Sequence, residues 1–467
     1  MRVLLFGTGD YYNKYKQWFR GNSIVALVDN DADKQGTRLD GYLVIAPQDI
    51  SKYDYDLIFV LSVHEKPIRK QLAELGVKNK KICMYSELYK YPEMLVRNRE
   101  VFCYGMLPDE MCKGEEKILL MSHNLDYNGA ALALFYAAKI LKKHGYSVVF
   151  ASWSDGELKE DLLKEGIPVV VDANLQIQVF ADVEWIKNYP YVFCNTLNYY
   201  LLLLKRHEGQ NYIWWLHDPE MFYENMDKEI LRSVDGEKLE CYAVGPISER
   251  AFRTYLPQLS VSQLIYGIPD MIEGEHKSIE ASCKMGFITI GNVQDYKGQD
   301  ILIKAIKKMP QTYLEQAHFR IVGGKDSAYM RMVKKMAEGL EESVEFVPPV
   351  RRVVVHRLLE EADVLVCPSR VDTMSIVANE AMMHSIPCIV SDSAGVAAYV
   401  DNGINGFVYE SENVEELCEK ICQCIERKNE LKEIGKASRN LYEKYFSMPV
   451  FEGNLLEVIH HQEKGKK

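Results

Sequence analysis

The stretch ADVLVCPSRVDTMSIVANEAMMHSIPCIVSD, residues 362–392, places a longer apolar segment between two short apolar runs. The runs ADVLVCPS and PCIVSD predict buried strands, because they are short, apolar and bounded by turn residues. The segment SIVANEAMMHS between them predicts a helix, with Ser375 as its N-cap. A strand, a helix and a second strand in this order predict a parallel sheet, and hence an α/β fold.

Two carboxylates lie near the start of this helix. Asp372 precedes it, and Glu380 follows eight positions later, more than one turn inside it. The free backbone N–H groups and the dipole of a helix N-terminus favour an anion such as a phosphate. Each carboxylate could accept hydrogen bonds from a sugar on its own side of that phosphate. Taken alone, however, the two acids are better explained by an ordinary helix N-terminus and a solvated glutamate.

The same alternation of strands and helices runs through almost all of the 467 residues. Its interruptions divide the chain into a small dinucleotide-fold-like unit, a connector, two doubly wound domains and a C-terminal helix. The predicted ranges are 1–90, 91–115, 116–275, 276–445 and 446–467. Two successive doubly wound domains leave a cleft at the carboxyl ends of their strands, where such sheets bind their ligands.

Composition narrows the function further. The net charge is -11, so no basic stripe is available for nucleic acid. No apolar stretch approaches the roughly 18 residues of a membrane span, and the 11 cysteines are scattered, as expected for reduced thiols. We therefore expect a cytoplasmic protein. Cys418, Cys422 and Cys424 lie in a helical pattern without further ligands at metal spacing, so packing explains them better than metal binding.

The pattern PS-x-x-D-T-M-S-x-V-x-x-EAM, followed by PCIVSD and DNGINGFVY, resembles the E-x7-E region of the family-four glycosyltransferases. ITIGNVQDYKGQDILIKAI, NGAALALFYAAKILKKHG and IWWLHD are similar to further motifs of that family, in the same order. The resemblance implies a GT-B fold, in which two doubly wound Rossmann-like domains face a cleft. Here a small additional Rossmann-like domain precedes them.

The same resemblance implies a retaining, metal-independent glycosyltransferase that needs no cofactor. Its donor would be a nucleotide-diphosphate sugar of UDP or GDP, and its acceptor a glycan or a lipid-linked saccharide. The form with D-T-M-S and EAMM is similar to enzymes that build bacterial surface polysaccharides. Peripheral association with the inner membrane is an expectation taken from those enzymes and not from the residues of this chain.

Residue roles follow from the resemblance. His217, Lys297 and Asp372 would be catalytic, although Asp372 stands where the family usually has a glutamate. Asn292 replaces the usual arginine, which removes a bidentate phosphate ligand. The implied donor-binding residues are Gly129, Asn292, Lys297, Thr373, Met374, Ser375, Ile376 and Glu380. By themselves, Lys297 could be a solvated lysine, Gly129 a simple helix start and His217 a core histidine.

The first 90 residues carry a weaker signal. Gly7 and Gly9 lack the third glycine of a dinucleotide fingerprint, and Asp29 ends the second strand where a ribose ligand would lie. A scaffold or protein-contact role is therefore favoured over an NAD-like ligand. Tyr12 and Lys16 have the spacing of a sugar dehydratase pair, but they follow the glycine loop directly, and chance explains this spacing better.

Three functions remain in competition at this point. The leading one is the transferase. The second is a catalytically degenerate GT-B subunit that only binds or assembles, suggested by Asn292 and the shortened acid at Asp372. The third is a bifunctional enzyme with nucleotide-dependent sugar chemistry in its first domain.

Overall fold

The computed structural model describes residues 1–62, 64–91, 94–96, 101–106, 117–176, 182–224, 226–272, 284–324 and 326–464. Within these residues the chain forms three mainly parallel sheets with helices packed on them. The predicted α/β class is confirmed, and so is the presence of an additional sheet domain before the two larger ones.

The first sheet has six strands in the order β3-β4-β2-β1-β5-β6. Its elements are β1 (Arg2–Phe6), α1 (Asp10–Tyr15), β2 (Ser23–Val28), β3 (Arg38–Leu39), β4 (Tyr42–Ile45), β5 (Leu57–Val60), α2 (Glu65–Glu74) and β6 (Ile82–Met84). Only β3 is antiparallel to its neighbour. The β3–β4 hairpin was not predicted, although its turn, Asp40-Gly41, has positive φ at both residues and is a strong hairpin signal.

The second sheet has eight strands in the order β14-β13-β12-β11-β8-β9-β10-β7. Its strands are β7 (Phe102–Tyr104), β8 (Lys117–Ser122), β9 (Ser147–Ser152), β10 (Val169–Val171), β11 (Tyr191–Asn195), β12 (Asn211–Leu216), β13 (Leu239–Ala243) and β14 (Val261–Gln263). Its helices are α3 (Gly129–Lys143), α4 (Leu158–Lys164), α5 (Glu220–Tyr223), α6 (Lys228–Ser233) and α7 (Pro246–Tyr255). The edge strand β7, antiparallel to β10, comes from the segment predicted as a connector. Of that connector, residues 92, 93, 97–100 and 107–115 lie outside the described residues.

The third sheet has six parallel strands in the order β17-β16-β15-β18-β19-β20. Its strands are β15 (Met285–Ile290), β16 (Ala317–Val322), β17 (Val344–Val347), β18 (Val364–Cys367), β19 (Cys388–Ser391) and β20 (Phe407–Tyr409). Its helices are α8 (Gln299–Lys308), α9 (Gln311–Leu314), α10 (Ala328–Met336), α11 (Arg352–Glu360), α12 (Ile376–Met383), α13 (Val414–Glu426) and α14 (Leu431–Leu441). The central strands β18 and β19 are buried at every position, as continuous apolar runs require when both faces are covered.

The last helix, α15 (Met448–Lys464), leaves the third sheet and packs against α3 beside the second sheet. Phe451 stacks on Trp215 of β12 with the ring centroids 5.7 Å apart. Glu452 accepts a hydrogen bond from Lys143 Nζ at 2.8 Å. The chain therefore crosses between the two large domains twice, once before β15 and once before α15.

Candidate active site

A cleft of about 530 Å³ lies between the second and third sheets, at the carboxyl ends of their central strands. Its walls come from the loops after β8, β11, β12, β15 and β18, and from the starts of α3, α11 and α12. Most of the predicted site residues line this cleft: Gly129, His217, Asn292, Lys297, Asp372, Thr373, Met374, Ser375 and Ile376.

An ion pair connects two of the predicted catalytic residues. Lys297 Nζ lies 2.7 Å from a carboxylate oxygen of Asp372. Burial by itself would lower the pKa of the lysine, but the attraction of Asp372 outweighs it and raises that pKa above its usual value. The loop holding Asp372 is fixed by its carbonyl, which accepts a hydrogen bond from the amide of Gly395 at 2.7 Å. Lys297 is thus a permanent cation in the cleft.

Helix α12 begins inside the cleft. The hydroxyl of Ser375 caps it by accepting a hydrogen bond from the amide of Ala378 at 3.3 Å, so the predicted N-cap is confirmed. No backbone hydrogen bond between described residues uses the amides of Thr373, Met374, Ser375 or Ile376. The helix start therefore presents free N–H donors beside the Lys297–Asp372 pair, which is the arrangement that binds an anion.

The start of α12 is also tied to the opposite domain. Thr373 donates its hydroxyl to the carbonyl of His217 at 2.8 Å, and Tyr266 donates its hydroxyl to the carbonyl of Met374 at 2.7 Å. Gly129, the first residue of α3, faces Ile376 so closely that an added Cβ would lie 3.5 Å from its side chain. The cleft is therefore narrow where the two helix starts meet.

His217 follows β12 on the wall of the cleft formed by the second sheet. Its Nε2 is buried and has no hydrogen-bond partner among the described residues. Burial, with a further contribution from His123, lowers the pKa of His217 to about 3. The imidazole is therefore neutral near pH 7, and its unpaired nitrogen is available to a hydroxyl group in the cleft.

Glu380 differs from the other predicted residues, because it is only 1% exposed and does not line the cleft. One of its carboxylate oxygens, Oε1, pairs with the guanidinium of Arg352, whose side chain is 37% exposed and does line the cleft. Burial raises the pKa of Glu380, and Arg352 opposes that rise. The other carboxylate oxygen, Oε2, is buried and has no hydrogen-bond partner among the described residues.

Three cleft residues were missed by the sequence analysis. Arg352 begins α11, His123 follows β8, and Asp218 follows β12 and accepts a hydrogen bond from the amide of Leu197 at 2.6 Å. His123 and Asp218 stand at the carboxyl ends of predicted strands, which was a usable signal. Arg352 has no such signal, since it lies in an ordinary charged helical pattern.

Asn292 also lines the cleft, next to Lys297 in the loop after β15. Its backbone carbonyl accepts a hydrogen bond from the side chain of Gln299 at 3.1 Å. A neutral amide therefore occupies the position for which the family resemblance implies an arginine.

The residues predicted for a nucleotide in the first domain do not line this cleft. Gly7 has φ of +99°, and an added Cβ would lie 2.6 Å from the carbonyl oxygen of Leu61, so close packing explains this glycine. Asp29 accepts a hydrogen bond from the amide of Thr8 at 2.8 Å, and its carboxylate thereby links the ends of β1 and β2. Gly9 precedes α1.

Tyr12 and Lys16 share one partner, since the Tyr12 hydroxyl and Lys16 Nζ both donate to Asp40 Oδ2, at 3.0 Å and 2.7 Å. They tie α1 to the β3–β4 hairpin. This contact gives the pair a structural role.

The described part of the chain contains no group of three or more His, Cys, Asp or Glu side chains placed to hold a metal ion. It also contains no helix with the length and apolar character needed to cross a bilayer.

The family comparisons divide the chain in the same way as the three sheets. Residues 1–83 match the model described as C2185-like, N-terminal, and residues 114–240 match the model described as Glycosyl-transferase family 4. Residues 275–441 match the model described as Glycosyl transferases group 1.

Two curated relatives share part of this region. A Haemophilus influenzae protein named as an uncharacterized glycosyltransferase is 27% identical over 160 residues, which are 34% of this chain and 44% of that protein. The D-inositol 3-phosphate glycosyltransferase of Mycolicibacterium gilvum is 27% identical over 127 residues, which are 26% of this chain and 28% of that protein. The matches thus span less than half the length of either relative.

A solved structure gives the fold over a longer range. The crystal structure of Anabaena HepE in complex with UDP-glucose superposes with a TM-score of 0.64 at 20% identity, over 74% of this chain and 99% of HepE. At this identity the likeness establishes the fold and nothing beyond it. The chain has the GT-B fold, and residues 114–240 and 275–441 in its two large domains match the glycosyltransferase models of family 4 and group 1.

Proposed function

We propose that this protein is a retaining glycosyltransferase that transfers a sugar from a nucleotide-diphosphate sugar to a glycan or lipid-linked saccharide. The observation that carries the proposal is the start of α12, where unpaired backbone amides face the cleft next to the Lys297–Asp372 ion pair. These groups can bind a diphosphate and stabilise the charge that develops on it as it leaves. HepE, which has the same fold, was solved with UDP-glucose, and this supports UDP as the nucleotide.

In the proposed reaction the bond between the anomeric carbon and the phosphate oxygen breaks, and the acceptor oxygen bonds to the same carbon. The amides of α12 and the Lys297 ammonium stabilise the leaving diphosphate, so the chemistry needs no metal ion. The acceptor proton passes to the departing phosphate oxygen. Because the Asp372 carboxylate accepts a hydrogen bond from Lys297, it is a poor nucleophile. We therefore propose that the acceptor oxygen attacks on the same face as the leaving group.

The opposite wall would hold the transferred sugar and the acceptor. His217 is neutral, and its unpaired Nε2 can bond a sugar hydroxyl, while Gly129 leaves room for the donor phosphates to approach the start of α3. The D-T-M-S and EAMM motifs favour an acceptor from bacterial surface polysaccharide. A lipid-linked acceptor would bring the protein to the cytoplasmic face of the membrane. For the first domain we propose a scaffold role rather than nicotinamide chemistry.

The test is binding and turnover with the purified full chain. Ligand binding to the folded state raises Tm with concentration, so a panel of UDP, GDP, TDP and NAD, with sugars of each diphosphate, identifies the nucleotide. We expect a shift with UDP and its sugars, and none with NAD. Release of UDP from the UDP-sugar that binds, with or without acceptor, then measures turnover.

Two other outcomes have defined meanings. A nucleotide shift without either hydrolysis or transfer would support the degenerate binding subunit, for which Asn292 is the specific observation. A shift with NAD alone would place the chemistry in the first domain and contradict the proposal.

A further inference from the structure

We propose that Arg352 is a second cation for the donor phosphates, and that Glu380 holds it in place through Oε1. The inference rests on the proposed function, because it assigns a phosphate ligand to the same cleft. Among the described residues that line the cleft, the only Lys and Arg side chains are Lys297 and Arg352. Each is paired with one acid of the 362–392 stretch.

The pair between Arg352 and Glu380 is asymmetric. Glu380 is 1% exposed, whereas the Arg352 side chain is 37% exposed and reaches the cleft. The guanidinium is therefore the part of the pair that a ligand meets first. Its five N–H donors form a planar fork, and Glu380 engages it through a contact at Nη2, so other donors remain for phosphate oxygens.

The charges in the cleft also favour this role. Lys297 is offset by Asp372, and Arg352 is offset by Glu380. The two histidines nearby add no positive charge near pH 7, since burial lowers the pKa of His123 to about 4 and that of His217 to about 3. Asp218 adds a negative charge near pH 7, since its pKa is about 6, so loss of the Arg352 charge would make the site more negative and repel a nucleoside diphosphate.

The position along α12 matches the size of such a ligand. Glu380 lies four residues after Ile376, the first helical residue, and at about 1.5 Å per residue this is roughly 6 Å from the free amides. The Arg352 guanidinium is fixed at this depth by Glu380. The amides and the guanidinium can thus contact different parts of one diphosphate.

The experiment compares Arg352→Gln with Arg351→Gln in the full chain. Arg351 is exposed, precedes α11 and does not line the cleft, so it is a matched control for loss of one positive charge. Calorimetry with UDP and with uridine separates phosphate contacts from base and ribose contacts. We expect Arg352→Gln to weaken UDP binding about tenfold and uridine binding less than twofold, with both unchanged in Arg351→Gln.

A third variant covers the case in which Arg352→Gln fails to fold. Arg352→Lys keeps the charge but loses the planar fork, and it should bind UDP about threefold more weakly than wild type, with uridine binding unchanged. UDP binding at wild-type strength in folded Arg352→Gln would overturn the assignment while leaving the proposed function intact. Equal loss of UDP and uridine would also overturn it, because the residue would then act on the nucleoside. Failure of the wild-type chain to bind any nucleoside diphosphate would overturn both proposals.

Discussion

Asp372 and Glu380 have different surroundings, although they lie only eight positions apart in the 362–392 stretch. Asp372 lies in the cleft with its carboxylate on Lys297, whereas Glu380 is enclosed by α11 and α12 with its carboxylate on Arg352. A single local pattern thus supplies the anionic partners of two cations from different parts of the chain. Neutralising Asp372 should therefore affect turnover and binding differently from neutralising Glu380.

Asp372→Asn should abolish most of the turnover and leave donor binding nearly intact. The substitution removes the partner that keeps Lys297 oriented, and it also removes one negative charge from the cleft. We expect turnover to fall at least about 100-fold, as is typical for loss of a preorganised electrostatic group, while the UDP affinity stays within about threefold. UDP-release kinetics and calorimetry measure the two quantities.

The matched control for that variant is Asp155→Asn. Asp155 also pairs with a lysine, Lys159, at 2.6 Å, but it is exposed and lies away from the cleft. It should leave turnover unchanged. A parallel fall of turnover in both variants would argue against a role for Asp372 in the reaction.

Asp218→Asn should change how stability depends on pH. Burial raises the pKa of Asp218 from its usual 3.8 to about 6. The folded state therefore favours the protonated acid. The resulting contribution to the free energy of unfolding is fully present below about pH 3.8 and is lost as the pH rises through 6. The variant lacks that loss, so its Tm relative to wild type should increase between pH 4 and pH 7.

Thermal unfolding over this pH range measures the effect. Because the buried histidines remain in both proteins, their opposite contribution cancels in the comparison. A constant difference in Tm between the two proteins from pH 4 to pH 7 would show that Asp218 titrates normally.

At the scale of elements, α12 is the helix on which the site depends, and its N-cap is open to test. Ser375→Ala removes the hydrogen bond to the amide of Ala378 and should cost about 1 kcal/mol of stability. It should also weaken UDP binding, because the amides at the helix start lose part of their fixed geometry. Thermal unfolding and calorimetry give the two values.

Ser327→Ala is the control for this prediction, because Ser327 caps α10 in the same way, with a 3.0 Å hydrogen bond from the amide of Met330. It does not line the cleft. We expect a similar loss of stability and unchanged UDP binding. If the two variants lose UDP affinity equally, the effect comes from general destabilisation.

The elements that carry the site could be predicted well from local sequence. The helix expected at SIVANEAMMHS is observed at Ile376–Met383 with Ser375 as its cap, because apolar periodicity and capping chemistry are both local properties. The β3–β4 hairpin was overlooked because β3 has only two residues, although Asp40-Gly41 indicated its turn. Edge strand β7 was overlooked because its three residues do not alternate in burial.

The contents of the cleft could be predicted only in part. Residues that follow buried strands, such as Lys297 and Asp372, reach the cleft because parallel strands end at one edge of a sheet. Arg352 reaches it only because α11 packs beside α12, which brings the arginine to a carboxylate 28 positions away. An ion pair of this kind depends on tertiary packing and leaves no local pattern.

At the scale of the whole molecule, the two large domains are joined by side chains as well as by the chain itself. Thr373 and Tyr266 make hydrogen bonds across the cleft, and Phe451 of α15 packs on Trp215 of the second sheet. The first domain contacts the domain of that sheet too, through the side chain of Gln176, which donates to the Tyr15 hydroxyl at 3.1 Å.

Phe451→Ala should destabilise the protein strongly. The ring is fully buried and stacked on Trp215, so its loss leaves a cavity between α15 and the second sheet. We expect a cost of about 3–5 kcal/mol, measured by denaturant or thermal unfolding. Phe222→Ala, at a ring that is 48% exposed, should cost far less. Equal costs would mean that α15 contributes little to this core.

The position of α15 has a consequence for biosynthesis. Phe451, Leu455 and Ile459 of α15 belong to the same core as residues of the second sheet, although the last strand of that sheet ends at Gln263 and the whole third sheet is encoded between them. On the ribosome, the second sheet can therefore form before the third has been translated. Its face beneath α15 stays uncovered until that helix has left the exit tunnel, and during that interval its apolar surface is exposed to aggregation and to chaperones.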